Sequence, residues 1–497
     1  MNNRVRANGT GWDAMYLGID LGTSAVKVVL IDAAGALRAQ ASAPLGLSRP
    51  HPLWSEQDPA AWWQATGEAM AGLRGQADLS AVRAIGLSGQ MHGAVLLDQA
   101  DRVLRPAILW NDGRAGAECA VLDPLARRLA GNPAMPGFTA PKMLWVRAHE
   151  PDIFAATARV LLPKDWLRLA MTGEAVSEMS DASGTLWLEV AARAWSPELL
   201  SATFLSPAHM PRLVEGSAPA GRLRPEVAAA WGLPAGCLLA GGGGDNAAGA
   251  VGIGAVAPGD AFISLGTSGV LFVVDEATRP DPERTVHAFC HCLPGLWHRM
   301  AVILSAAASL AWLARVTGAA DEAALLAEAS AESDDRLVFL PYLSGERTPH
   351  NDPAATGVFF GITGQTTRGD LARAVLEGVA FALADGLAAL EARGPRIDGF
   401  SVIGGGSRSP LWSRILAAAL DRPLRFHAGG EVGPALGAAR LAALAADAGP
   451  LAVVCAAPPV AREQEPETAL AAALVPRREL YRSLYPALRE SFARRLA

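Results

Sequence analysis

The sequence predicts an α/β protein made of two related domains in tandem, and three observations carry that prediction. The chain has 497 residues, about three times a common domain length, so one compact core is not expected. Ile19 to Leu30 reads IDLGTSAVKVVL and Ile263 to Val274 reads ISLGTSGVLFVV, so seven of twelve positions repeat at a separation of 244 residues, about half the chain. Apolar strand, glycine turn and helix also follow one another in both halves, which calls for helices layered on sheets.

Taken in order, the first copy of the repeat is a strand, a Gly-Thr-Ser turn and a second Val-rich strand. Asp32-Ala-Ala-Gly35 makes another turn and Leu37 to Pro44 a third strand, so the first half opens as a meander. Pro59 to Leu73 has Trp62, Trp63 and Met70 at helical core spacing. Val82 to Leu87 reads as a buried strand leading into Ser88-Gly89-Gln90-Met91-His92-Gly93, and Leu238 to Gly244 runs into Asp245-Asn246-Ala247-Ala248-Gly249 as strand, turn and helix. Val402 to Gly406, followed by SPLWSRILAAAL, repeats that form. The longest uncharged apolar run, Met300 to Ala314, is shorter than the ~20 residues that span a bilayer and reads as a buried helix. Beyond Pro458 the tail reads as a polar helix, including Arg477 to Ala497, packed on the second domain.

Composition limits the function. Hydrophobic residues are 51% of the chain and charged residues 19%, which excludes wholesale disorder. With a net charge of −6 and no run of Lys and Arg, nucleic acid and anionic membrane are poor partners. Five cysteines, an odd number, and an opening MNNRVRANGTGWDA without an apolar core point to the reducing cytoplasm. Only three lysines, Lys27, Lys142 and Lys164, occur against forty arginines.

Several constellations could carry chemistry. In each Gly-Thr-Ser turn the backbone N–H groups and hydroxyls converge on one point, which suits a phosphate, although two ordinary hairpins would look alike. The first copy has Asp20 where the second has Ser264. A carboxylate beside a phosphate cradle repels it unless a cation lies between, so Asp20 is a candidate for Mg²⁺, or else a turn cap. Asp245, at the end of GGGGD, is placed as a general base for a hydroxyl. The overlapping Gly242-x-Gly244-x-x-Ala247 match to a dinucleotide fingerprint is set aside because no clear βαβ unit follows it. Gln90, Met91 and His92 could grip a small polar molecule, and Trp110-Asn111-Asp112-Gly113-Arg114 offers a sugar an aromatic plane, an amide and charges. His287, Cys290, His291, Cys292 and His298 resemble a metal site, but no second Cys pair completes it, and buried thiols are the better reading. No GxSxG elbow and no GxxxxGK[ST] loop occurs.

The paired hairpins, GGGGDN near the boundary between the halves and GGGSRSPLWSRIL in the second together resemble the FGGY carbohydrate kinases, from about Met15 to about Ala445. YLGIDLGTSAVK, GLSGQMHGAVLLD, WNDGRA, PKMLWVR, LLPKDWLR, DASGTLWL, GGGGDNAAGAVG and PYLSGERTPHNDP are most similar to the branch acting on D-xylulose. The resemblance implies two tandem ribonuclease-H-like domains of the actin/hexokinase ATPase type with an interdomain active-site cleft. It implies domains over 15–257 (sugar, first hairpin, base) and 258–497 (nucleotide, second hairpin, helical tail), after a disordered extension at 1–14. It implies ATP-dependent phosphorylation of the 5-hydroxyl of D-xylulose, with Asp245 as proton acceptor, Met91 and His92 on the ketose, and Gln90, Asn111, Asp112 and Asn246 around the sugar. Asp20 would organise Mg²⁺, while Gly22, Thr23, Gly266 and Thr267 would touch the ATP phosphates. Gly405, Gly406 and Ser409 lie where the family holds adenosine, although some relatives have Asn just after these glycines. The helix expected over Gly433 to Ala439 would lie between the domains. The resemblance favours a homodimer. The alternatives are a related kinase acting on ribulose, gluconate, a polyol or glycerol, an actin-like or chaperone-like ATPase, and a sugar sensor without catalysis. A sensor is expected to have lost Asp20 or Asp245, and both are present.

Overall fold

The computed structural model describes residues 14–329, 337–428 and 433–494. The extension expected before Met15 lies almost wholly outside them. The chain forms two compact units, one comprising the described residues of Met1–Val256, Phe289–Leu296 and Val432–Ala457, the other those of Ala257–Ala288, Trp297–Glu431 and Pro458–Ala497.

In the first unit, Met15–Leu21, Ala25–Asp32 and Leu37–Pro44 form an antiparallel meander. Val82–Gly89 lies parallel to the first of these strands, Leu238–Ala240 parallel to Val82–Gly89, and Pro219–Arg222 closes the edge antiparallel. Helix Pro59–Arg74 packs on this sheet and follows its sequence signals: the Asp58 carboxylate caps the Ala60 N–H at 2.9 Å, proline opens the first turn, and Trp62, Ala65, Ala69, Met70 and Leu73 are buried.

The second unit repeats the topology. Ala261–Leu265, Gly269–Asp275 and Trp297–Ile303 are antiparallel. Phe400–Ile403 and Leu424–His427 then add in parallel and Val460–Gln464 antiparallel. The twelve-residue repeat in the sequence is thus one corner of a duplicated six-strand arrangement. The C-terminal helix Thr468–Arg494 buries Leu474, Tyr481, Leu484, Tyr485 and Phe492 in this unit's core. Among the described residues no helix is long and apolar enough to cross a membrane.

Two expectations are corrected. Met300 to Ala314 is not one helix: Trp297–Ile303 is a sheet strand, Ala307–Thr317 is the helix, and they are joined through Ser305. Uniform apolarity hides the break, because a strand buried on both faces and a buried helix lack the same periodic signal. The helix Gly433–Ala445, expected between domains, belongs to the first unit, where its small residues let backbones meet. A Cβ on Gly18 would lie 1.9 Å from the Ala435 carbonyl oxygen, one on Gly86 1.8 Å from that of Ala438, and one on Gly437 1.7 Å from that of Ala248. Gly437→Ala therefore has to push this helix off helix Asp245–Ile253, and a loss of about 3 kcal/mol is expected in denaturant unfolding. Unfolding within ~0.5 kcal/mol of wild type would show that the helices are not in this contact.

Candidate active site

The site in the first unit is set by strand register. Asp20 pairs with Ser88 across parallel strands, and Ser88 in turn pairs with Gly243 of the glycine turn. The turn must be glycine where it crosses the neighbouring strand: Gly242 has φ of 78°, and a Cβ there would lie 2.0 Å from the Leu87 carbonyl oxygen. One residue beyond Gly244, Asp245 opens helix Asp245–Ile253. Two carboxylates thereby reach the same end of the sheet. Asp20 is buried and accepts a hydrogen bond from Ser88 Oγ at 2.8 Å. Burial raises its pKa, opposed by that hydrogen bond and by the Lys27 charge. Asp245 is half-buried, and its carboxyl is pushed up to about 7, first by burial and then by the Asp20 charge, although Asn246 donates to Oδ1 from its backbone at 2.7 Å and from its side chain at 2.9 Å. A carboxyl poised near neutrality in a polar site is what general base catalysis requires.

Met91 and His92 stand beside that turn. A Cβ on Gly244 would lie 2.9 Å from Met91 Sδ, and His92 Nδ1 is 2.6 Å from the Gly184 carbonyl oxygen. His92 has φ of 67°, and its carbonyl accepts Lys142 Nζ at 2.8 Å and Thr139 Oγ1 at 3.1 Å, which fixes this strained residue. Its ring meets the edge of Phe138 at 4.6 Å.

Other expected contacts are engaged elsewhere. Gln90 is buried, its amide donating to Gln57 at 3.0 Å and accepting from Thr23 Oγ1 at 3.1 Å. Thr23 Oγ1 also accepts from Trp110 Nε1 at 2.9 Å, so this hydroxyl ties the first hairpin to the Trp110 loop. Gly22 closes that hairpin by donating to the Ala25 carbonyl at 3.1 Å. Asn111 is exposed, whereas Asp112 is 2% exposed with both oxygens occupied: Oδ2 by Ser55 N at 2.6 Å and Arg114 Nη2 at 2.7 Å, Oδ1 by Arg114 N at 3.0 Å and Nε at 2.9 Å. Its acceptors are engaged by the loop, which Asp112 anchors. Arg114 continues the lattice to Glu56 at 2.7 Å and lies 3.7 Å over the Trp54 ring.

The second unit holds a separate pocket of about 720 Å³ lined by Gly266, Thr267, Gly405, Gly406 and Ser409, with Leu310, Leu326 and Leu411 as apolar wall, a size that takes a nucleotide-sized molecule. The hairpin is pinned to the start of helix Ala307–Thr317 because the Gly266 and Thr267 carbonyls each accept at 2.9 Å, from Ala307 and Ala306. Ser409 caps helix Pro410–Leu420 by accepting from Trp412 N at 3.2 Å. Cys290 and Cys292 are buried, and burial pushes their thiols up. Their sulfurs donate to the Val190 carbonyl at 3.4 Å and the Ala247 carbonyl at 3.5 Å, as buried thiols do. Among the described residues no three His, Cys, Asp or Glu side chains gather as a metal cluster.

Both halves match models of the FGGY family of carbohydrate kinases, the N-terminal domain over residues 15–252 and the C-terminal domain over 261–446. The chain belongs to that family, and it is a kinase. It is 54% identical over 481 residues to the xylulose kinase of Escherichia coli strain K12, covering 95% of this chain and 99% of the relative. A solved kinase from Brucella ovis is 52% identical and superposes with a TM-score of 0.93 over 96% of this chain and 99% of its own. A gluconate kinase from Lactobacillus acidophilus at 24% identity still gives 0.89 over 97% of this chain and 99% of its own, so the fold is shared across substrates.

Sequence reasoning missed the residues that hold the site: Ser88 on Asp20, Gln57 behind Gln90, and Lys142 under His92. Lysine scarcity was the available signal, since a chain that uses arginine almost throughout keeps lysine at 142 and 164, both wholly buried. The roles of Asn111 and Asp112 separate in one experiment. Asp112→Ala takes from buried Arg114 one of its two carboxylate partners, leaving Glu56, and from Ser55 N its acceptor, and is expected to cost about 3 kcal/mol in unfolding. Asn111→Ala is expected to leave stability unchanged and to move only the KM for sugar. An Asp112 variant of normal stability would return that residue to the sugar.

Proposed function

We propose that the protein phosphorylates D-xylulose at its 5-hydroxyl from Mg·ATP, with Asp245 as general base. The observation that carries this reading is Asp245 on its glycine turn, with a carboxyl pushed up to about 7, beside the Met91–His92 loop. The substrate class is supported by the xylulose kinase relative, which is more than half identical over nearly its full length. Phosphoryl transfer asks a protein mainly for alignment and charge neutralisation, because the transition state is loose and its charge is spread over oxygens. In this reading Met91 and His92 seat the ketose, Asp245 orients the attacking hydroxyl and takes its proton, and Asn246 steadies the carboxylate. Asn111 is the exposed amide offered to the sugar.

The pocket of the second unit takes the nucleotide, with Gly405, Gly406 and Ser409 at adenosine and Gly266 and Thr267 at phosphate. Gly22 and Thr23 are the first hairpin's candidates for the phosphates, although the Gly22 N–H closes the hairpin on Ala25 and the Thr23 hydroxyl is engaged. Asp20 and Asp245 feel one another's charge in a buried place, and that donor chemistry fits a hard divalent cation, held by Asp20 directly or through water. Mg²⁺ bound there would neutralise the nucleotide phosphates. One aspartate with waters and phosphates suffices for such an ion, so no three-residue cluster is needed. A homodimer working in the cytoplasm completes the proposal.

ADP release from Mg·ATP across xylulose, ribulose, gluconate, glycerol, xylitol and no sugar tests the assignment. Strong stimulation by D-xylulose alone is expected. Preference for another sugar would refute the reading of the Met91–His92 loop, and sugar-independent turnover would favour an ATPase. Met91→Ala and His92→Ala are expected to raise the KM for ketose with that for ATP little changed.

The pH dependence follows from the charge state. Asp245 accepts a proton only as carboxylate, so kcat/KM is expected to be full above pH 7 and to fall as pH drops through about 7. Asp245→Asn is expected to lose most turnover and, with it, this acid limb. An unchanged acid limb in the variant would remove Asp245 from the role.

A further inference from the structure

Behind the glycine turn lies a cluster of ionisable side chains that the mechanism above does not use. Lys164, Asp165, Arg168, Glu178 and Asp181 are all buried without exposure. Lys164 Nζ lies 2.8 Å from Asp165, 3.0 Å from Asp181 and 3.5 Å from Glu178. Burial and the neighbouring Asp165 and Glu178 charges raise the Asp181 carboxyl well above the ordinary carboxylate range, against the pull of Lys164. Burying five ionisable groups is costly, and packing alone would be met by apolar residues.

What the cluster does is hold the turn that ends in Asp245. Arg168 donates from Nη1 to the Ala240 carbonyl at 2.6 Å and from Nη2 to the Gly241 carbonyl. At the far end of the turn the Gly244 N–H donates to Ser180 Oγ at 3.0 Å. That hydroxyl points its own proton at Glu178, 2.8 Å from Oε1, while Glu178 also accepts the backbone N–H of Ser180 at 2.7 Å and of Asp181 at 2.9 Å. The hydroxyl therefore has one orientation, with its lone pair on Gly244. Gly244 immediately precedes Asp245, and Met91 packs on its other side.

We propose that Ser180, oriented by Glu178, is a positioning residue for the phosphoryl-transfer step: it fixes the Gly244 peptide and through it the carboxylate of Asp245. The proposal rests on Asp245 being the base. A base placed loosely by even an ångström loses much of its effect, so one fixed peptide matters to rate more than to binding.

The test is a double-mutant cycle in the full-length protein, read by ADP release with saturating D-xylulose and Mg·ATP. Ser180→Ala is expected to lower kcat by about tenfold, one hydrogen bond's worth, with both KM values within about twofold and the melting temperature within a few degrees. Added to Asp245→Asn, it is expected to lower the residual turnover no further, because it acts only through that carboxylate. Ser180→Cys, which keeps the volume with a weak acceptor, carries the same comparison if the alanine variant does not fold. A kcat within about twofold of wild type overturns the proposal, as does the same tenfold loss on top of Asp245→Asn, which marks a structural role. Near-normal turnover of Asp245→Asn alone overturns the reading of Asp245 instead and takes the positioning role with it.

Discussion

The first unit depends on the register of one set of parallel strands. Because Asp20 lies opposite Ser88 and Ser88 opposite Gly243, a chain that passes the sheet at residues 20, 88 and 243 delivers its polar residues to a single edge. Side chains alternate faces along a strand, so a slip of one residue would turn Asp20 into the core and remove the hydrogen bond from Ser88. Glycine maintains the register. Gly242 crosses Leu87 with no room for a Cβ, and Gly18 and Gly86 let helix Gly433–Ala445 press on the sheet with no side chain between. Because alternate residues share a face, Gly18 and Asp20, like Gly86 and Ser88, lie on the same side of the sheet, so the site is tied to packing by a helix nearly two hundred residues beyond the glycine turn in sequence.

Charge burial in this unit follows two opposite patterns. Asp112, Glu56 and the carboxylates around Lys164 are matched by arginine or lysine at salt-bridge distance. Asp20 and Asp245 instead meet, among the described residues, a serine hydroxyl and an asparagine, with the Lys27 charge acting on Asp20 and the Asp20 charge on Asp245. The first pattern stabilises loops at the usual desolvation cost. The second leaves two carboxyls shifted upward, first by burial. The Asp245 carboxyl, pushed up to about 7 by burial and then by the Asp20 charge, is the product of that contrast.

Much of this was legible in the chain. Period and turn chemistry located the meander, the Pro59 helix, the glycine turn before Asp245 and the repeated hairpin, because each has a local signal. The misplaced boundary within Met300–Ala314 and the misassigned helix Gly433–Ala445 are failures of a different kind. Both segments are apolar or small all round, so nothing in the local pattern says which neighbour they meet. The same limit applies to Asp112 and Gln90. Residue type advertised a sugar contact, but whether a carboxylate or amide is free is decided by Ser55, Arg114, Gln57 and Thr23, which lie far away in sequence.

The duplicated topology shows how two related units come to different chemistry. Counted along each sheet, the strand Phe400–Ile403 that feeds the glycines 404–406 takes the place of Val82–Gly89, which feeds Gln90 to His92, and not that of Leu238–Ala240, which feeds the base turn. The likeness of VIGGG to the GGGGD turn is therefore local, a common solution for leaving a strand end, and not a shared position. At the position both units do share, Asp20 is answered by Ser264, which removes from the second copy the charge that in the first raises Asp245. A serine there adds no charge to the second hairpin, whose Gly266 N–H donates to the Ser268 carbonyl at 3.1 Å. One residue at one register position thus gives the first unit a buried carboxylate at its hairpin and the second a neutral hydroxyl on the same frame.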